Sequence, residues 1–130
     1  MSTELSVAFN GMFSQMTKNT LESSPCRIDV SDFITRLRKK EALLTLDIRT
    51  EEELMFTRFI YGDVLNISME KLFLDESLDK LDNNKEIIVL CHTGARAIAV
   101  TTALNMLGYK SMALQGGWAA LADYISVKSV

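Results

Sequence analysis

The sequence is poor in the residues that most often staple or metallate a small protein. It has two cysteines, Cys26 and Cys91, one histidine, His92, and one proline, Pro25, in 130 residues. Two cysteines are too few for a disulfide framework. The opening MSTELSVAFNGMF has neither the basic start nor the long apolar core of a secretory signal. Both thiols are therefore expected to be reduced, in a cytoplasmic protein. A lone histidine excludes a His-based metal cluster and argues against zinc, so neither a metal nor a cofactor is expected. No stretch approaches the roughly 20 apolar residues of a membrane span. The net charge of −3 gives no support to nucleic acid or an anionic membrane as a partner. Repeats and low-complexity segments are absent. What remains is 48% hydrophobic and 24% charged, the balance of one globular domain with a sizeable core.

The chemistry concentrates in residues 86–108, EIIVLCHTGARAIAVTTALNMLG. The run Ile87-Ile88-Val89-Leu90 is short, β-branched and without polar alternation, which predicts a strand buried on both faces. Ala95 to Leu107 is rich in helix formers, and Gly108 supplies a stop. Cys91 then falls where a central strand ends and a helix begins, the place where open α/β sheets bind ligands. Backbone N–H groups leading into a helix N-terminus form an anion-binding concavity. A thiol facing one ionises more easily, and catalytic examples reach pKa values of roughly 3.5–7.5. Gly94 permits a tight turn. Arg96 adds a permanent cation whose paired donors can hold an anion. The competing reading is an inert, half-buried structural thiol. The strand, glycine, arginine and helix in that order favour a reactive one.

The rest of the chain alternates. Residues 4–18 carry Leu5, Phe9, Met12 or Phe13, and Met16 at near-helical spacing, and Asn19 to Pro25 looks like a linker. Residues 1–24 are thus a helical extension with its linker, and 25–130 the main domain. The extension either covers the domain or forms a homodimer contact. A first strand is expected over Cys26–Val30, with Ser31 capping a helix from Asp32 to about Lys40 that turns Phe33, Ile34 and Leu37 inward and Arg36, Arg38, Lys39 and Lys40 to a solvated face. A second strand spans Leu43–Ile48, and Thr50 can cap a helix opened by Glu51-Glu52-Glu53. Val64–Ile67 is a third strand. Ser68 or Met69 opens a helical stretch through Leu81, with Leu72, Leu74, Leu78 and Leu81 inward. Lys110–Leu114 is the last strand, and Gly116-Gly117 precedes a helix from Trp118 to about Ile125. Five alternations argue an α/β fold with a mostly parallel five-stranded sheet.

Cys91-His92-Thr93-Gly94-Ala95-Arg96, with four residues between cysteine and arginine, resembles the active-site loop of rhodanese-like domains. Leu46-Asp47-Ile48-Arg49 is similar to the Asp-x-Arg strand end of that family, and Gly116-Gly117-Trp118 to its Gly-Gly-Trp turn. The segment from Ile60 to Ile67 is similar to the family's His-Ile-Pro-Gly-Ala-x-Asn-Ile stretch, but Phe59 and Tyr61 occupy its His and Pro positions. The likeness covers about residues 26–125.

The resemblance implies helices on both faces of the sheet and a sulfurtransferase. Cys91 would carry sulfur as a persulfide, taken from thiosulfate, polysulfide or another persulfide. It would pass the sulfur to cyanide or to a thiol, small or protein-borne. Loop residues His92, Thr93, Gly94, Ala95 and Arg96 would bind the donor, and no general base is needed. Asp47 and Arg49 should lie at the same rim in support, Asp47 bonding loop amides and Arg49 pairing with a carboxylate. Gly116 and Gly117 are further supports. His92 either donates to the donor anion or points to solvent. The loop is less basic than those of family members active on thiosulfate, which makes thiosulfate a poor donor. A non-catalytic interaction module is the alternative. A cysteine phosphatase or arsenate reductase ranks third, because those loops hold five residues between Cys and Arg.

Overall fold

The computed structural model describes residues 3–18 and 26–128. Leu43–Asp47 (β2) and Glu86–Leu90 (β4) form the middle of the sheet because seven of their ten side chains are apolar. Burying such a side chain stabilises by roughly 1.5–3 kcal/mol, so these two runs have most to gain from positions covered on both faces. Arg27–Ile28 (β1), Val64–Asn66 (β3) and Ser111–Leu114 (β5) complete a sheet of order β1-β5-β4-β2-β3. Every pairing is parallel. Side chains alternate faces along β4. Ile87 and Val89 join a core that includes Cys91, Ala97, Val100 and Leu104, while Ile88 and Leu90 join one with Phe33, Leu37, Phe59 and Leu121.

The helices are Glu4–Lys18 (α1), Val30–Arg38 (α2), Glu51–Phe56 (α3), Asp75–Leu78 (α4), Ala95–Met106 (α5) and Gly117–Lys128 (α6). The α/β class, the parallel sheet and the N-terminal helix match the sequence reading. Three details differ. Strand β1 stops at Ile28 because Asp29, not Ser31, caps α2, its carboxylate accepting from the Asp32 amide at 2.7 Å. Arg36, expected on a solvated face, pairs with Glu41 and Glu86. The stretch from Ser68 to Leu81 is mostly turns, with α4 only four residues long. Leu72 and Leu81 are buried, but Leu74 is 50% exposed, because turns rather than a helical face set which leucines point inward. The linker Asn19–Pro25, and with it the proposed division at residue 24, lies outside the described residues.

Helix α1 touches α5 yet leaves Leu5 64%, Phe9 41% and Phe13 50% exposed. No helix among the described residues is long and apolar enough to cross a membrane.

Candidate functional site

The register sets the site. Asp47 lies opposite Leu90, and the Ile48 amide donates to the Leu90 carbonyl at 2.9 Å, so β2 and β4 end side by side. The next residue, Cys91, is 1% exposed. Its Sγ accepts from the amides of Gly94 at 3.0 Å and Ala97 at 3.4 Å. Gly94 is the N-cap of α5, in a left-handed conformation at φ 101° and with no side chain to cap with. The sulfur therefore takes the place of a capping side chain. It accepts from the third residue of the helix, as a serine or aspartate oxygen would. The amides of Ala95 and Arg96, in the same first turn, have no intrahelical acceptor. Two N–H donors and the positive end of a 12-residue helix thus meet at one sulfur, an arrangement that complements negative charge on it.

The loop's carbonyls are held on the other side. Trp118 N–H donates to the Cys91 carbonyl at 2.7 Å and Ala119 N–H to the His92 carbonyl at 3.0 Å. This close approach of α6 requires Gly117, at φ 59°, since a Cβ there would run into both carbonyl oxygens. Gly94 packs against the same turn, with space for a Cβ only 3.2 Å from the Gly116 nitrogen.

Asp47 and Arg49 stand at the rim as a buried support, but Asp47 does not bond the amides of the Cys91 loop. Its carboxylate takes the Arg49 amide at 3.1 Å and the Arg49 side chain through Nε and a second nitrogen at 2.9–3.2 Å. The remaining guanidinium donors reach the Thr57 hydroxyl at 3.1 Å and carbonyl at 2.9 Å, just past α3. Above them the Trp118 ring lies 4.9 Å from the guanidinium carbon. Arg49 therefore ties β2, the end of α3 and α6 together.

Arg96 differs most from its expected role. Its two terminal nitrogens each donate at 2.9 Å to one oxygen of Glu53, a bidentate pair spanning 43 residues. Glu53 also completes a capping box at the start of α3: its carboxylate accepts from the Thr50 amide at 3.0 Å while Thr50 Oγ1 accepts from the Glu53 amide at 3.2 Å. Hydrogen bonding from Arg96, reinforced by Thr50, holds the Glu53 carboxyl down at about 2, and the same contact raises the Arg96 pKa. The paired donors expected to grip an anion are occupied. Thr-x-x-Glu was readable in the sequence as a helix cap, but nothing local pointed to its partner.

His92, Thr93 and Ala95 are exposed at the loop's outer edge. Cys26, also free, is buried beside β1, and desolvation pushes its thiol pKa up against the opposing pull of Arg27. It belongs to neither the loop nor the core that holds Cys91.

With a parallel α/β sheet, a cysteine capping the helix after its central strand, and a Gly-Gly turn locking the loop, the chain belongs to the rhodanese-like domain family, whose model matches residues 29–123. It is 27% identical over 85 residues to the putative sulfurtransferase YtwF of Bacillus subtilis, covering 65% of this chain and 79% of that one. It is also 27% identical over 124 residues to thiosulfate sulfurtransferase 18 of Arabidopsis thaliana, covering 87% and 90%. A rhodanese-like domain protein from Staphylococcus aureus shares the fold at a TM-score of 0.66 and 21% identity, over 74% of this chain and 90% of that one.

Proposed function

We propose that the protein is a sulfurtransferase or sulfane-sulfur carrier that works through a persulfide on Cys91. The observation that carries this reading is the Cys91 sulfur acting as the acceptor at the N-terminus of α5. In the first step the Cys91 thiolate attacks the outer sulfur of the donor. A new S–S bond forms and the donor's own bond to that sulfur breaks. With thiosulfate, Cys–S⁻ and S–SO₃²⁻ give Cys–S–S⁻ and sulfite. With a persulfide R–S–S⁻, the products are Cys–S–S⁻ and the thiolate R–S⁻. In the second step an acceptor thiolate attacks the terminal sulfur, leaving as R–S–S⁻ and restoring Cys–S⁻. No proton has to move, so no general base is required. The loop amides stabilise whichever sulfur carries the charge.

One feature favours polysulfide or persulfide over thiosulfate as donor, and a second favours sulfur transfer over phosphoryl transfer. The Arg96 fork is bound to Glu53 and offers no free cation to a dianion. Cys91 is 1% exposed at the floor of a loop with only four residues between cysteine and arginine, a depth suited to passing one sulfur atom rather than a tetrahedral phosphoryl group. The acceptor is a thiol, small or carried on a protein, in a reducing cytoplasm. The exposed stripe Leu5, Phe9 and Phe13 on α1 supports a homodimer formed through that helix. Light scattering should show a dimer that Phe9→Lys and Phe13→Lys together turn to monomer.

Intact mass after incubation with polysulfide, and separately with thiosulfate, tests the function. The expected result is one added sulfur with polysulfide, lost on treatment with a thiol, and a much smaller yield with thiosulfate. Cys91→Ser should abolish loading and Cys26→Ser should leave it unchanged. Loading that survives Cys91→Ser, or vanishes with Cys26→Ser alone, assigns the carrier elsewhere.

A further inference from the structure

A cavity of about 280 Å³ opens between α2 and α6, and no residue of the Cys91 loop lines it. Its floor is Leu37 and Phe59, which belong to the core on the sheet face away from Cys91. Ile34 and Tyr124, packed against that same core, form its walls. At the mouth stand Arg38, Tyr61 and Ile125. The lining thus has an apolar interior, one cation and two phenols, and no carboxylate. Arg36, on the same helix, is taken up by Glu41 and Glu86, whereas Arg38 faces a mouth without an acid. Phe59 and Tyr61, moreover, are the two positions where this chain departs from the His and Pro of the pattern it resembles. Both side chains line the cavity.

We propose that this cavity is a second binding site, for a small apolar anion: a flat or short hydrocarbon body with one carboxylate-type head. The body would lie on Phe59, Leu37 and Ile34. The head would take the Arg38 guanidinium, with the Tyr61 hydroxyl as a second donor. The volume sits just below the range of about 300–1,000 Å³ usual for small-molecule pockets, enough for a two-ring body and too little for a helix of a partner protein. A phenol at the mouth and a cation beside it discriminate by charge at the head, while the interior selects only for apolar bulk.

Amide chemical shifts of the full chain, titrated with 2-naphthoate and in parallel with the neutral 2-naphthalenemethanol, test the site. Saturable shifts should centre on residues 34–38, 59–61 and 124–125, and leave residues 91–96 unmoved. Because Arg38 is exposed, its contribution is modest, and the alcohol should bind about fivefold more weakly than the acid. Arg38→Gln should weaken the acid by the same factor and leave the alcohol unchanged. Ile125→Trp, a rim substitution that fills the mouth, should abolish both, while sulfur loading at Cys91 persists in either variant. Shifts scattered over the surface or centred on residues 91–96 overturn the proposal. So does equal binding of acid and alcohol, or an Arg38→Gln variant that binds the acid normally. A concentration-dependent dimer that Ile125→Trp dissociates would assign the groove to a second copy and overturn it equally.

Discussion

Two arginine–carboxylate pairs stand beside Cys91, and their difference separates what holds the site from what tunes it. Asp47 and Arg49 are two residues apart, 0% and 2% exposed, and every nitrogen of the guanidinium is engaged. Glu53 and Arg96 are 43 residues apart, with side chains 30% and 35% exposed. The same chemistry has two consequences. The buried pair has no solvent to fall back on, so removing one partner strands a charge in the core. The outer pair can exchange its contacts for water at little cost, so its residues can be changed without collapsing the fold. The inner pair is scaffold. Under the proposed function, the outer pair sets how much positive charge a sulfur donor would meet.

The largest effect is expected from the inner pair. Arg49→Ala should cost about 3–5 kcal/mol, by leaving Asp47 unpaired and Thr57 and Trp118 without their tie. Denaturant unfolding should show a lower midpoint. Arg49→Ala together with Asp47→Ala should recover part of that loss, since the stranded charge is gone. A single variant as stable as the parent would erase the distinction between the pairs.

A smaller effect on stability, and a larger one on selectivity, is expected from the outer pair. Glu53→Gln should cost about 1 kcal/mol, from the weakened capping box and the screened ion pair. It should also free the Arg96 fork. The ratio of thiosulfate to polysulfide loading should then rise, while Glu53→Gln combined with Arg96→Gln returns it towards the parent value. An unchanged ratio would mean that the occupied guanidinium does not exclude the dianion.

The smallest effect is a pH dependence. Glu53 has its carboxyl held at about 2, below the 4.5 of a free group. A lowered native pKa means that its stabilisation is complete above about 4.5 and is lost as pH falls towards 2. Comparing parent and Glu53→Gln stabilities from pH 6 down to 2.5 should show a gap that narrows in that window. A constant gap would attribute the whole effect to packing.

How legible each feature was follows from how local its cause is. Ile87–Leu90 announces a buried strand because no polar residue interrupts it, Leu43–Leu46 does so with Thr45 as its one polar residue, and Gly94 and Gly108 bracket α5 from within the sequence. Thr50 was readable as a cap for the same reason. Ser31 and Asp29 are both capping types two residues apart, and only the observed end of β1 decides for Asp29. The leucines from 72 to 81 promised a helix, but their burial follows a series of turns anchored by the neighbouring core. The loop's residues could be named from their spacing. Arg96 meeting Glu53, and Asp47 turning to Arg49 rather than to the loop, depend on three-dimensional neighbours that no short pattern encodes.

The two hydrogen bonds from α6 to the Cys91 and His92 carbonyls have a consequence for polarity. A peptide unit can rotate as a plane between its neighbours, and half a turn exchanges its N–H for its C=O. In a bare loop of six residues such flips would cost little, and one carbonyl turned inward would set a negative dipole against the sulfur anion. Trp118 and Ala119 pin the oxygens of two of these planes outward, so their inward sides stay positive. The sign of the cradle is therefore written partly in a segment far downstream of the loop. A chain cut after Gln115 would keep every residue from Cys91 to Arg96 and lose the restraint that makes them a site for an anion.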